Sequence, residues 1–181
     1  MFRRVVAPGV EIRLMQESDA VPMFEVVERN RAYLREWLPW VDATHFPTDI
    51  RDFIRSTLER YEAGTELNTT IWIDGEIAGG IGHHAIDWPN RASALGYWLD
   101  AAHQGRGIVT RCCHTLLDYL FDERGLHRVE IRCGTGNARS CAIPRRLGFR
   151  RDGVLRHGQW VNTRWVDLEV WSILEEEWRK H

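Results

Sequence analysis

Residues 103 to 114 read His-Gln-Gly-Arg-Gly-Ile-Val-Thr-Arg-Cys-Cys-His and follow a short strand at 94–99. Gly105 and Gly107 allow a tight turn and let bare N–H groups approach a ligand closely. A helix from about Thr110 turns its unpaired N–H groups and positive dipole end toward the same spot, and Arg106 and Arg111 add formal charge. This chemistry suits a diphosphate-bearing anion. An ordinary strand-to-helix connection with solvated arginines accounts for the same residues, because Gly-x-Gly alone is weakly specific. Two better-known phosphate loops are excluded. Gly-x-x-x-x-Gly-Lys-Ser/Thr is absent, and Gly-x-Gly-x-x-Gly fails at its third glycine position, Thr110.

The chain around this loop has 181 residues, which suits one domain with a substantial core, spanning 1–181. Its 44% hydrophobic and 28% charged residues describe a globular protein, and a net charge of −2 disfavours a nucleic-acid partner. Nine tryptophans suit a partly open cleft as well as a core. Cys112, Cys113, Cys133 and Cys141 show no C-x-x-C spacing, so no metal site or disulfide frame is indicated and reduced thiols are expected. Nothing resembles a signal peptide or membrane span, which predicts a cytoplasmic location and no membrane partner.

Residues 10–14 alternate as a strand, and Ser18 or Asp19 can cap the helix that follows. Pro39 must break the aromatic segment 33–41; Thr48 caps a second helix that Gly64 ends. Asp74-Gly75 joins two strands as a hairpin. After the glycine turn come a helix over 110–122, a strand at 128–133 and a helix over 140–147. A hairpin at about 150–157 and 163–173 follows, then a short helix with Ser172-x-x-Glu175 as its capping box. The order is β-α-α-β-β-β-α-β-α-β-β, a mixed α/β domain without repeat or linker.

Three segments together resemble the GCN5-related N-acetyltransferase (GNAT) superfamily. Gln104-Gly105-Arg106-Gly107-Ile108 is similar to its Gln/Arg-x-x-Gly-x-Gly/Ala pyrophosphate loop. Asn137-Ala138-Arg139-Ser140 is followed at family spacing by Leu147-Gly148-Phe149. Gly96-Tyr97-Trp98-Leu99 precedes the loop, itself preceded by the glycine-rich strand 77–82. Trp37-Leu38-Pro39-Trp40 and the tail after Phe149 further resemble the RimL-like branch that acetylates ribosomal-protein N-termini. The resemblance implies a central, mostly antiparallel twisted sheet with splayed fourth and fifth strands and helices on both faces. It implies acetyl-coenzyme A as donor, its pantetheine arm lying between the strands 93–99 and 128–133. The N–H groups of Gln104, Gly105, Arg106, Gly107, Ile108 and Val109, with Thr110 beside them, would hold the pyrophosphate, and Tyr97, Trp98 and Leu99 would border the arm. Asn137 would bond the pantetheine or cap its own helix. Val109 departs from the family's Gly or Ala and must point away from the ligand. Pro144 stands where many members carry a tyrosine acid, so Ser140 becomes the candidate proton donor, or only a cap.

The implied reaction is attack of a neutral amine on a thioester. An α-amino group, with a pKa of roughly 7.7–8.0, loses its proton far more readily than a lysine at about 10.4, so a weak base or water relay can suffice. A backbone N–H near Trp98 or Leu99 would meet the oxyanion. Ala94 replaces a carboxylate that relatives often carry. His84, Asp87, His83 and Asp167 are therefore the candidate bases, whereas Glu130 reads as a solvated strand residue. Trp37, Trp40, His83 and Tyr97 could wall the acceptor channel, and an arginine among 139, 145, 146, 150 and 151 could touch a 3′-phosphate. A protein N-terminus is the expected acceptor, with a small-molecule amine such as an antibiotic or aminoacyl-nucleotide as the alternative. A coenzyme A-binding scaffold without turnover is the non-enzyme reading. Either a monomer or a homodimer fits.

Overall fold

The computed structural model describes residues 1–180. Eight strands form one sheet: β1 (Arg3–Ala7), β2 (Val10–Leu14), β3 (Leu67–Ile73), β4 (Glu76–His83), β5 (Ala92–Leu99), β6 (Arg128–Gly134), β7 (Arg150–Val161) and β8 (Arg164–Leu174), in the spatial order β1-β2-β3-β4-β5-β6-β8-β7. Every neighbouring pair is antiparallel except β5 and β6, which run parallel. The helices are α1 (Ala20–Leu34), α2 (Pro47–Glu62), α3 (Ile108–Asp118), α4 (Ala138–Arg146) and α5 (Glu175–Trp178). The mixed, mostly antiparallel sheet expected from the sequence is present.

Strand alternation sends side chains to both faces, and each face has its own core. On one side, Met23, Val26 and Val27 of α1 and Ile50 and Ile54 of α2 pack on Ile77, with Trp72 and Trp98 against them. On the other, Cys112, Cys113, Leu116 and Leu117 of α3 and Cys141 and Ile143 of α4 pack on Ile71, Ile81, Leu95, Leu99, Val129 and Ile131. The expected buried stripe of the α3 helix is thus its core face.

Several boundaries differ for physical reasons. The strand β1 escapes the sequence pattern because it is an edge strand with little alternation; Arg3 pairs with Glu11 across the hairpin, and Gly9 turns with φ 72°. Thr48 does not cap α2. Pro47 occupies the first position, and the Asp49 carboxylate accepts the N–H groups of His45 and Phe46, both at 2.8 Å. Helix α3 begins at Ile108, earlier than Thr110, because Gly107 takes a left-handed φ of 69° and lets the helix start at once. Ser172 is no cap either: β8 continues to Leu174, opposite Arg128, and Glu177 accepts the Leu174 N–H at 3.0 Å. The Asp74-Gly75 hairpin stands as expected, both residues at positive φ.

Trp37 lies in the turns after α1 and lays its indole over the β6–α4 turn. A Cβ added at Gly134 would meet its ring at 2.7 Å, and one at Gly136 at 3.1 Å. These glycines are fixed by that close approach, so Gly134→Ala should cost about 1–3 kcal/mol by overpacking. Urea denaturation of Gly134→Ala, Trp37→Leu and the double variant should give a double loss smaller than the sum of the singles. Strict additivity would show that the indole does not set the glycine requirement.

Candidate active site

The parallel ladder between β5 and β6 runs from Ala92↔Arg128 to Leu95↔Ile131. Beyond it the strands diverge. Gly96 to Leu99 stay on β4, opposite Gly82 to Gly79, while Arg132 to Gly134 stay on β8, opposite Val170 to Leu168. Antiparallel pairing decides which backbone groups border this opening. The Asp100 N–H donates to the Ala78 carbonyl at 2.7 Å and the His84 N–H to Ala94 at 2.9 Å, so even-numbered residues of β5 spend their polar groups on β4. The odd-numbered residues Tyr97 and Leu99 therefore turn theirs into the opening. Of the two N–H groups expected to meet an oxyanion, that of Leu99 faces the slot and that of Trp98 faces β4. Leu99 also presents its carbonyl there, where the Tyr33 hydroxyl donates to it. Burial pushes the Tyr33 phenol up to about 12, so it remains a donor at neutral pH.

The glycine loop leaves β5 through a buried anchor. The Asp100 carboxylate accepts from Arg29 at 2.6 and 2.9 Å, Asn30 at 3.0 Å and the Ala102 N–H at 3.1 Å. The Asn30 side-chain oxygen accepts the Ala101 N–H at 3.1 Å. Burial alone would raise the Asp100 carboxyl, but these donors outweigh it and hold it below the usual range. Nothing in the sequence singles out Arg29, Asn30 or Asp100; only the fold joins residues 70 positions apart. Gly105 and Gly107 follow at φ 76° and 69°, and a Cβ at either would meet open space. The first hydrogen bond of α3 runs from Arg111 to the Gly107 carbonyl, which leaves the N–H groups of Ile108, Val109 and Thr110 as the helix's free end. Val109 packs its side chain on the core, away from that end, as the resemblance required. Gln104 accepts from Arg139 of α4, tying the loop to the far bank of the opening. These features fit a diphosphate carried on an amide-bearing arm: bare N–H groups on the loop, a helix end, and a free strand edge beyond it.

At the slot's α3–α4 side, Ser140 and Tyr97 meet. The Tyr97 hydroxyl donates to the Ser140 carbonyl at 3.2 Å, and the Ser140 hydroxyl donates to Tyr97 at 3.3 Å. Burial, then the nearby thiols, push the Tyr97 phenol well above its ordinary value, so it stays protonated. Asn137 caps α4, accepting the Ser140 N–H at 3.2 Å; of its two expected readings the structure displays the cap.

On the opposite face stand Trp98, packed edge-to-face on Trp40 at 6.0 Å, and His84. The His84 ring covers Gly96, its Nε2 3.2 Å from where a Cβ would stand, on the face that Ala94 also shares. His84 is exposed; His83 is not. His83 is a core histidine, its Nδ1 2.9 Å from the His84 carbonyl, and burial lowers its pKa. It fits neither a base nor a channel wall, because its ring lies on the α3 face. Asp87 holds the β4–β5 turn through the Asn90 N–H at 3.1 Å and amide at 2.7 Å, opposite Ala92. That puts it two residues, about 7 Å of strand, from Ala94, which accepts the His84 N–H, and its carboxylate bonds Asn90 rather than His84. Asp167 accepts the His157 N–H at 2.7 Å and keeps an irregular β7–β8 segment in place. Glu130 is held between Arg128 at 2.7 Å and Arg132 at 3.0 Å, the surface role expected of it. Trp37 and Tyr97 do not join Trp40: the first lies over the β6–α4 turn and the second turns to the α3–α4 side. Of the arginine cluster, Arg145 stacks on Trp171, Arg150 pairs with Glu177 and Arg151 with Glu169, and Arg139 is the member bonded to the loop.

Residues 10–150 match the family model described as the Acetyltransferase (GNAT) domain. The chain belongs to the GNAT acetyltransferase family. It is similar, at 36% identity over 98% of both chains, to a Bacillus subtilis (strain 168) protein provisionally named ribosomal N-acetyltransferase YdaF. It is 25% identical to the ribosomal-protein-serine acetyltransferase of Escherichia coli (strain K12), over 92% of this chain and 93% of that one. Among solved structures it resembles RimL, a ribosomal L7/L12 α-N-protein acetyltransferase in complex with coenzyme A. The TM-score is 0.92 and the identity 25%, with 96% and 98% of the two chains covered. This GNAT chain is therefore an acyltransferase, an N-acetyltransferase whose cofactor is acetyl-coenzyme A. No helix among the described residues is long and apolar enough to cross a membrane.

Two outcomes test the site. Gly107→Asp puts a side chain and a negative charge at a left-handed position on the anion loop. Isothermal titration should find acetyl-coenzyme A binding lost, and unchanged affinity would remove the loop from the cofactor site. Asp100→Asn should cost on the order of 2 kcal/mol by loosening the anchor. Because the folded-state carboxyl is lowered, that contribution is complete above the unfolded value of about 3.9 and fades as pH falls through the folded value. Denaturation midpoints of wild type and variant should therefore converge below about pH 4.

Proposed function

We propose that this N-acetyltransferase acetylates the α-amino group of a protein N-terminus, a ribosomal protein's in particular, with His84 as general base and Ser140, backed by Tyr97, as proton donor. The observation that carries the chemical part is the placement of His84. Its exposed imidazole stands over Gly96, where β5 leaves β6, on the face that lacks a carboxylate at Ala94. An imidazole titrates near neutrality, where an α-amine also begins to lose its proton. Trp40 and Trp98 border the same face and supply apolar walls for a chain terminus. The names of the YdaF and RimL relatives support the ribosomal acceptor.

In this reading the loop N–H groups of Gly105 to Thr110 hold the pyrophosphate, and the slot edges of Tyr97 and Leu99 hold the arm. Acetyl-coenzyme A supplies the activated acyl group. His84 takes a proton from the incoming ammonium, directly or through one water. The Leu99 N–H offers a fixed donor to the charge that develops on the acyl oxygen. Ser140, hydrogen-bonded to a Tyr97 that burial keeps protonated, delivers a proton on the thiol side. Base and acid therefore lie on opposite faces of β5 and do not compete for one proton.

Thiol release from acetyl-coenzyme A, followed across N-terminal peptides, polyamines, aminoglycosides and aminoacyl-nucleotide analogues, tests the acceptor. Release is expected with ribosomal-protein N-terminal peptides and not with their Nα-acetylated forms; release with a small amine alone would overturn the reading. His84→Gln should lower kcat/KM about 100-fold and flatten its rise with pH toward neutrality. An unchanged pH profile would exclude His84 as the base. Ser140→Ala should lower kcat about tenfold or more while the KM for acetyl-coenzyme A changes less than about threefold. If kcat is untouched, Ser140 serves only as the residue whose N–H the Asn137 side chain caps.

A further inference from the structure

Beside the Ser140–Tyr97 pair lie two thiols that acetyl transfer does not use. Cys133 of β6 and Cys141 of α4 face each other across the β6–α4 turn with their sulfurs 2.7 Å apart. Glu169 of β8 belongs to the same cluster, its carboxylate and the two sulfurs all within 4.8 Å of one another. Both cysteines are free and buried, and both act on the Tyr97 hydroxyl electrostatically. All four free cysteines belong to the α3–α4 core, but Cys112 and Cys113 of α3 are fully enclosed at 0% exposure, against 4% and 6% for Cys133 and Cys141. Thiols this close need little movement to reach the S–S bond length of about 2.05 Å. Cys133 stands on the strand that forms one bank of the slot, and Cys141 follows Ser140 directly.

We propose that Cys133 and Cys141 are a thiol–disulfide exchange site for coenzyme A disulfide delivered by the cofactor groove, and that the resulting Cys133–Cys141 bond shuts off acetyl transfer. The inference rests on the cofactor groove and is independent of which amine is the acceptor. The exchange balances without a further reagent. Cys133 loses its proton to Glu169 or solvent, and its thiolate attacks one sulfur of the disulfide. A Cys133–coenzyme A mixed disulfide forms as the original S–S bond breaks, and the first coenzyme A leaves as thiolate and takes up a proton. Cys141, deprotonated in turn, attacks the Cys133 sulfur, forming the internal disulfide and expelling the second coenzyme A thiol. Two protein thiols are oxidised and one disulfide is reduced to two thiols. The internal bond ties α4 to β6 beside Ser140 and draws the Ser140 hydroxyl out of line with Tyr97.

The environment explains why the oxidant must arrive through the groove. Burial first, then each other's proximity and the Glu169 charge, raise the Cys133 thiol; burial foremost raises Cys141. The thiolate fraction is therefore small, and oxidants diffusing from solvent react slowly. A disulfide bound by the pyrophosphate loop reaches the site at a high effective concentration. Because thiolate is the attacking form, the exchange should quicken as pH rises.

Reduced protein incubated with coenzyme A disulfide, and in parallel with glutathione disulfide, tests this by intact mass and peptide mapping. With coenzyme A disulfide the mass should fall by two hydrogens, mapped to a Cys133–Cys141 link. Acetyl transfer should fall more than tenfold and return with dithiothreitol. Cys141→Ser should trap one coenzyme A on Cys133, and Cys133→Ser should trap none there. Glutathione disulfide should react at least tenfold more slowly; equal rates would remove the groove from the proposal. No change in mass at pH 8, a link through Cys112 or Cys113, or full activity in the linked protein would overturn it. Acetyl transfer by the same reduced sample separates this failure from a failure of the cofactor site itself.

Discussion

The active site depends on one break in the sheet: the parallel ladder between β5 and β6 ends after Leu95 and Ile131. An unpaired strand edge inside a sheet leaves N–H and C=O groups without partners, which is costly unless something fills the gap. The divergence must therefore be enforced from outside. Strand β8 holds the far end of β6 through Leu168 to Val170, and β4 holds β5 through Gly79 to Gly82. The Asp100–Arg29–Asn30 anchor draws the end of β5 toward α1, and Trp37 braces the turn that follows β6. The resulting opening has the hydrogen-bonding capacity of a strand and no strand in it.

Alternation along β5 then divides the chemistry. Side chains at 95, 97 and 99 go to the α3–α4 core, so Tyr97 meets Ser140 there. Positions 94, 96 and 98 go to the α1–α2 side, where His84 and Trp40 stand. Backbone groups obey the complementary rule, with the odd positions turning theirs into the slot. A one-residue change of register against β4 would exchange both assignments at once. The close fit between β4 and β5 opposes such a slip: Gly80 lacks a Cβ because one would strike the Trp98 indole at 2.7 Å. The glycine-rich β4 strand thus serves the site without touching a ligand.

Much of this was legible in the sequence, and the limits follow from the physics. The loop from Gln104 to Val109 is contiguous and its glycines turn at positive φ, so it was legible locally, although the family resemblance and not the spacing separated an anion loop from an ordinary connection. The sheet and most helices follow from periodicity. Edge strand β1 did not, because it is half-exposed and charged and leaves little pattern. Caps were read from the nearest polar residue, whereas Asp49 and Glu177, each reaching back three residues, make the bonds. Adjacent histidines cannot be ranked by sequence, since strand alternation puts one in the core and one outside; burial separates His83 from His84. The Asp100 anchor, the Tyr33 contact and the Cys133–Cys141 approach join distant elements and have no local signature.

The charge distribution has the same local logic. A chain of net charge −2 has no long-range field to draw in a polyanionic cofactor, and its C-terminal arginines are largely occupied. Arg145 covers Trp171, while Arg150 and Arg151 pair with glutamates. What remains for an anion is short-ranged: the N-terminal end of α3, the loop N–H groups, and Arg106, Arg111 and Arg139 around them. Such dipoles act within about one helical turn and fall away steeply with distance. Binding by this arrangement is governed by fit at the loop rather than by attraction from afar. A loop held by backbone geometry needs a rigid origin, and the buried Asp100 carboxylate, fixed by charge and hydrogen bonds at the end of β5, provides it.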